Sequence, residues 1–209
     1  MRQDMEMGIF WKGIVLGFSL AAPVGPIGVL CIRRTLHFGK ISGLFSGLGA
    51  AVADALYAAI AAFGIAFVSD FLVAQQFWLR LVGGIFLLYL GWKTFFAKSS
   101  NQTKKISHTT LINDFISTFF LMLSNPIIIL VFLAVFASFG LANVRGNLPQ
   151  SSALIFGVFL GSSAWWLLLI EVVTLFRKKV NDKGMQWINR GAGTMIATFG
   201  IGALSTLFF

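Results

Sequence analysis

The sequence predicts an all-α integral membrane protein of six transmembrane helices, arranged as two inverted three-helix repeats, on three observations. Hydrophobic residues fill 57% of the 209 positions and charged residues only 11%, against roughly 25% charged in globular chains. The charges collect in short stretches between apolar runs of ~20 residues, the length a helix needs to cross a bilayer. Glycine and arginine positions recur between the two halves at a fixed offset, and a half with an odd number of spans reverses its orientation when repeated.

The apolar segments run about 9–31, 41–68, 77–96, 114–141, 151–176 and 187–209, with short connections and no soluble domain. The whole chain, 1–209, reads as a single transmembrane domain, with half-repeats at about 1–97 and 110–209 linked by a basic loop at about 98–110, "KSSNQTKKISH". The first segment begins like a secretory leader, "WKGIVLGFSLAA". Asp4 and Glu6 spoil a basic leader start, however, and the apolar pattern continues to Ile32, so it reads as a span.

The repeat is carried by Arg80 and Gly83 in the third segment and Arg190 and Gly193 in the sixth, both at an offset of 110. The same offset carries Gly47 onto Gly157. The first and fourth segments, which correspond, are both interrupted by proline: "SLAAPVGPIGVL" holds Pro23, Gly25, Pro26 and Gly28, and "LSNPII" holds Asn125 and Pro126. Proline inside a helix removes a donor and clashes with the preceding turn, at a cost of about 3 kcal/mol or more. Backbone groups freed in this way cannot face lipid and must be buried in protein or line a wet cavity. Matched breaks in two halves point to a transport site.

Asp54 lies about 13 residues into the second segment, hence ~20 Å from its end. It stands on a seam of small residues, Gly43, Gly47, Ala50, Asp54, Tyr57 and Ala61, at alternating spacings of four and three. Small seams are where membrane helices approach, so Asp54 is expected to face the bundle and to exchange a proton or meet a cation. At the 110 offset its counterpart is Ala164. Glu171 stands seven residues before Lys178 on one helix face and reads equally as an interfacial ion pair or a substrate contact. Asp114 reads as a solvated helix cap, and Trp165 and Trp166 as mid-span core packing.

Several function classes are excluded. One cysteine, Cys31, forms no intrachain disulfide, and with two histidines it supplies no multi-thiolate metal site. No nucleophile, base and orienting group occur together, so no enzyme and no cofactor is expected. The net charge of +9 reports basic loops rather than a nucleic-acid partner.

Taken in order, "APVGP", "RRTLHFGKISGLFSGLGAAVAD", "GGIFLLYLGWKTF" and "SNPIIILVF" resemble the LysE/RhtB family of amino-acid exporters over nearly the whole chain. The resemblance implies a bacterial inner-membrane carrier, driven by the proton gradient or membrane potential, that expels amino acids or related small metabolites. It assigns the family's proline-glycine signature to Pro23, Gly25 and Pro26, its second-span acid to Asp54 and its fourth-span pair to Asn125 and Pro126. Ile127 follows that pair where many relatives carry a lysine. The rival class is an exporter of small ions or metal cations with similar six-span topology. Its ligand clusters are not evident in the sequence. A homo-oligomer is compatible with the small-residue seams Gly43/Gly47 and Gly157/Gly161, which equally serve packing within one chain.

Twelve of the sixteen Lys and Arg residues fall on one side of the spans: Arg33, Arg34, Lys40, Lys93, Lys98, Lys104, Lys105, Arg177, Lys178, Lys179, Lys183 and Arg190. Basic loops stay cytoplasmic, so both termini are expected outside the cytoplasm. A C-terminal alkaline phosphatase fusion should be active and a C-terminal green fluorescent protein fusion dark; the reverse pair of signals would invert this topology.

Overall fold

The computed structural model describes residues 2–22, 25–63, 75–97, 108–124, 128, 131–132, 147–177, 182–205 and 207. Among the described residues there are seven helices and no strand. They are α1 (Arg2–Ala21), α2 (Pro26–Phe38), α3 (Lys40–Phe63), α4 (Gln76–Phe95), α5 (His108–Leu123), α6 (Leu148–Arg177) and α7 (Asp182–Ser205). By length and composition α3 and α6 can each cross a membrane, and the bent pair α1 and α2 makes a third such unit.

The first apolar segment is therefore two helices that meet at 81°. Pro26 does not interrupt a helix interior: it opens α2 at the first helical position, after Gly25 as an extended cap residue. There the missing N–H is one that no helix could bond, and the fixed φ suits the turn, so the penalty expected of an interior proline does not arise. At the other end Gly39 has φ 100°, a conformation open to glycine without strain, and its N–H donates to Thr35 O at 3.0 Å. That turn folds α3 back against α2.

Lipid is as apolar as leucine, so close backbone contact rather than apolar burial joins membrane helices. α1 and α6 pack in this way. Gly13 and Gly17 lie on the backbone of Leu154, Gly157 and Val158, and Gly157 and Gly161 lie on that of Phe10 and Ile14. The pairing advances in step along both helices, so they run parallel. Within the chain, the Gly157/Gly161 seam is used for this contact. α3 and α5 are also parallel, with Ser42 beside Asp114, Gly49 beside Phe115 and Tyr57 beside Met122. α3 and α6 are antiparallel, with Gly43 against Ile170 and Gly47 against Trp166. So are α4 and α7, where Gly84 meets Gly200 and Gly91 meets Ala197.

All six residues of the predicted α3 seam are buried. Large apolar side chains such as Trp78, Val82, Tyr89, Trp92, Phe156 and Leu175 instead point outward, as the solvent for an outer face is hydrocarbon.

The α1–α6 contact leaves no room for a methyl group. A Cβ at Gly17 would come within 2.8 Å of Val158 Cα, and one at Gly161 within 2.8 Å of the Ile14 carbonyl carbon, whereas at Gly8 it would meet nothing within 4 Å. Gly17→Ala and Gly161→Ala should each destabilise by about 1–3 kcal/mol, while Gly8→Ala should be neutral or stabilising, because alanine is the better helix former. Thermal melts in detergent that rank the three in the opposite order would break this account of the packing.

Candidate functional site

Asp54 is 3% exposed and accepts a hydrogen bond from Ser162 Oγ at 2.6 Å. That bond crosses from α3 to α6. An ionised carboxylate has about four acceptor positions, and among the described residues Asp54 has no ion pair. Its neighbours along α3 divide between two apolar clusters. Ala50, Ala51 and Ala53 pack with Ala21, Cys31, Met122, Trp166 and Ile170, whereas Tyr57, Ala58 and Ala61 pack with Leu16, Phe132, Leu154 and Val158. The acid thus stands between the two clusters on a helix whose inward face is mostly alanine and glycine.

The helix break adjoins the first cluster, since Ala21 ends α1 and Ile27, in the first turn of α2, packs there. The first-turn amides of α2 have no side-chain cap, and a side chain at Gly25 would meet nothing within 4 Å. The start of a helix carries partial positive charge on such amides and favours an anion. Pro23, Asn125 and Pro126 lie outside the described residues. Met122 lies in the last turn of α5, where helix carbonyls have no intrahelical partner, and Tyr57 Oη of α3 donates to Met122 O at 2.9 Å.

Two sequence expectations change, and the ion-pair reading of Glu171 is realised with Lys40. Arg33 and Arg34, counted with the loop charges, are each 8% exposed, because α2 continues past them to Phe38 and packs against other helices on both sides. Asp114 is not a solvated cap: it lies inside α5, 6% exposed, with its Oδ1 3.1 Å from Arg34 Nε and its Oδ2 accepting from Ser42 Oγ. Arg34 also donates to Ser46 Oγ at 2.9 Å, Asp114 O at 2.9 Å, Thr118 Oγ1 at 2.8 Å and Ser117 Oγ at 2.7 Å. Arg33 Nε donates to Asn189 Oδ1 at 3.1 Å, and Asn189 Nδ2 donates to Ala97 O at 3.3 Å. Glu171 pairs with Lys40, with both side chains about half exposed, while Lys178 lies outside the described residues.

The family model for the LysE type translocator matches residues 18–206. The chain belongs to the LysE type translocator family. It is 31% identical over 202 residues to a Bacillus subtilis protein named "Putative amino acid efflux protein YcgF", covering 93% of this chain and 94% of that protein. It is 26% identical to the "Uncharacterized membrane protein YrhP" of the same organism, covering 83% and 87% of the two chains. It is 25% identical to the "Uncharacterized membrane protein YahN" of Escherichia coli, covering 81% and 77%. No solved structure matches it. As a member of a transporter family this translocator is an integral membrane protein of a bacterial membrane, in agreement with its composition.

Among the residues singled out from sequence, the fold of this translocator brings the segment of Gly25 and Pro26 to the cluster that flanks Asp54, and sets Glu171 apart at a half-exposed ion pair with Lys40. Sequence reading missed Ser162, Arg34 and Asp114. Ser162 had a signal, the doublet "GSSAWW" in an otherwise apolar run; for Arg34 and Asp114 the signal was unlike charges at the edges of two apolar segments. Removing one member of a buried ion pair strands the other, at about 3–5 kcal/mol. Arg34→Met and Asp114→Leu should each lower the melting temperature sharply, and the double variant should lose less than the two losses added. Additive losses in this double-mutant cycle would show that the two side chains do not interact.

Proposed function

We propose that this translocator carries out secondary-active efflux of amino acids or related small metabolites across the bacterial inner membrane by alternating access. The observation that carries the reading is the company Asp54 keeps. A buried acid without an ion pair among the described residues shares its surroundings with a helix break whose first-turn amides are uncapped. An α-amino acid carries the complementary charges, an ammonium for the acid and a carboxylate for the amides. The name of the Bacillus subtilis relative, over nearly the whole of both chains, supports the same substrate class.

The cycle runs as follows. Substrate enters from the cytoplasm and its carboxylate meets the amides around Gly25, at the start of α2. Its ammonium meets Asp54 or Asn125, while Pro26 opens α2 just after the break and leaves its first-turn amides free to bind. Protonation of Asp54, or the membrane potential, then couples the outward step. Glu171 joins the site only if its pair with Lys40 opens.

Six spans as two inverted halves give the rocking bodies such a cycle needs. The helix contacts support that repeat: exchanging the halves turns the parallel pair α1–α6 into the parallel pair α5–α3, and maps the antiparallel pairs α3–α6 and α4–α7 onto themselves. Asp54 faces Ser162, two positions from the residue the 110 offset assigns.

Cells expressing the chain and fed dipeptides should release one or a few amino acids faster than vector controls. Asp54→Asn should abolish that release while the protein still inserts, and Glu171→Gln should retain at least half of it. Unimpaired release by Asp54→Asn would overturn the role given to the acid.

A further inference from the structure

We propose that Ser163 and Trp166 of α6 are specificity-determining donors that bind the carboxylate of the exported amino acid, beside the first-turn amides of α2. The inference rests on the exporter reading above and adds two residues that neither the family motifs nor the proline breaks identify.

Trp166 is 5% exposed, yet its Nε1–H is fully buried and has no hydrogen-bond partner among the described residues. The Ser163 hydroxyl is likewise buried without a partner. Native structures pair nearly all buried donors, so each exception calls for a cause. Trp166 approaches Gly47 so closely that a Cβ on the glycine would lie 2.7 Å from the Trp166 Cβ, a contact that phenylalanine would keep without bringing a donor.

The placement of the two groups is specific. Residues 163 and 166 are three apart and so share a helix face. On the same turn Ser162 donates to Asp54. Trp166 also packs in one cluster with Ala21 and Ile27, the residues on either side of the break between α1 and α2. An indole nitrogen only donates, and a helix start presents only N–H groups. Indole, hydroxyl and α2 amides together form a set of donors, which suits a group that only accepts, such as a carboxylate. Asp54, an acceptor when ionised, stands one turn away and suits the ammonium.

The test uses the amino acid that wild-type cells release fastest from fed dipeptides. Proteoliposomes carrying the full chain are assayed for transport of that amino acid and, separately, of its amide, which keeps the ammonium and lacks the carboxylate charge. Trp166→Phe should raise KM for the amino acid about tenfold, the scale of one hydrogen bond to a charged group, with kcat nearly unchanged and KM for the amide unmoved. Ser163→Ala should do the same to a smaller degree, and it carries the test alone if Trp166→Phe fails to fold. Unchanged KM in the variants overturns the inference, and so does an equal rise for amino acid and amide, which would mark a packing effect. Wild-type cells that release no amino acid overturn the exporter reading itself, and the inference with it.

Discussion

In hydrocarbon a buried polar group has no water to bond, and each one left unpaired costs several kcal/mol. Much of this chain answers that constraint. Where α5 ends, Tyr57 of α3 supplies the partner for the Met122 carbonyl. Wherever a cation is buried, it is surrounded: Arg34 spends its guanidinium on Asp114, Ser46, Ser117 and Thr118. The uncapped start of α2 and the unbonded donors of α6 depart from this rule in one part of the bundle, and the buried Thr94 hydroxyl of α4 departs from it elsewhere.

α2 links the parts of the structure that the rule holds together. Consecutive arginines on a helix point about 100° apart, and here one of them bonds α5 and α3 while the other bonds α7. This short helix, bounded by Gly25 and Gly39, is therefore fastened by side chains to helices of both halves. The contacts that fasten it are polar and directional, whereas those between α1 and α6 are glycine backbone against backbone.

Asp54 and Asp114 show how environment separates two acids of one type. Both lie inside helices and both are nearly inaccessible. Asp114 has an arginine within ion-pair distance and a serine donor as well, so its role is structural. Asp54 has a single serine bond among the described residues and is flanked by alanines. The same residue type is a fastener in one place and a candidate for substrate or proton in the other.

Much of the fold was legible in the sequence because the bilayer reduces the problem to one dimension: a run of apolar residues of the right length must be a helix, and a seam of small residues must be its contact face. On those grounds the all-helical class, the break before Pro26, the inward face of α3 and the burial of Asp54 could be read directly. Which side chains meet was not legible, since partners such as Arg34 and Asp114, or Asp54 and Ser162, are 80 and 108 positions apart and share no local pattern. Tertiary structure alone decided that Arg33 and Arg34 turn inward instead of lying in a loop, that Glu171 takes Lys40 as its partner, and that the Trp166 donor is left unbonded. The physical reason is that composition and periodicity report which face of a helix avoids the solvent, whereas a hydrogen bond depends on the position of two atoms to within a few tenths of an ångström, and that is known only when the helices have packed.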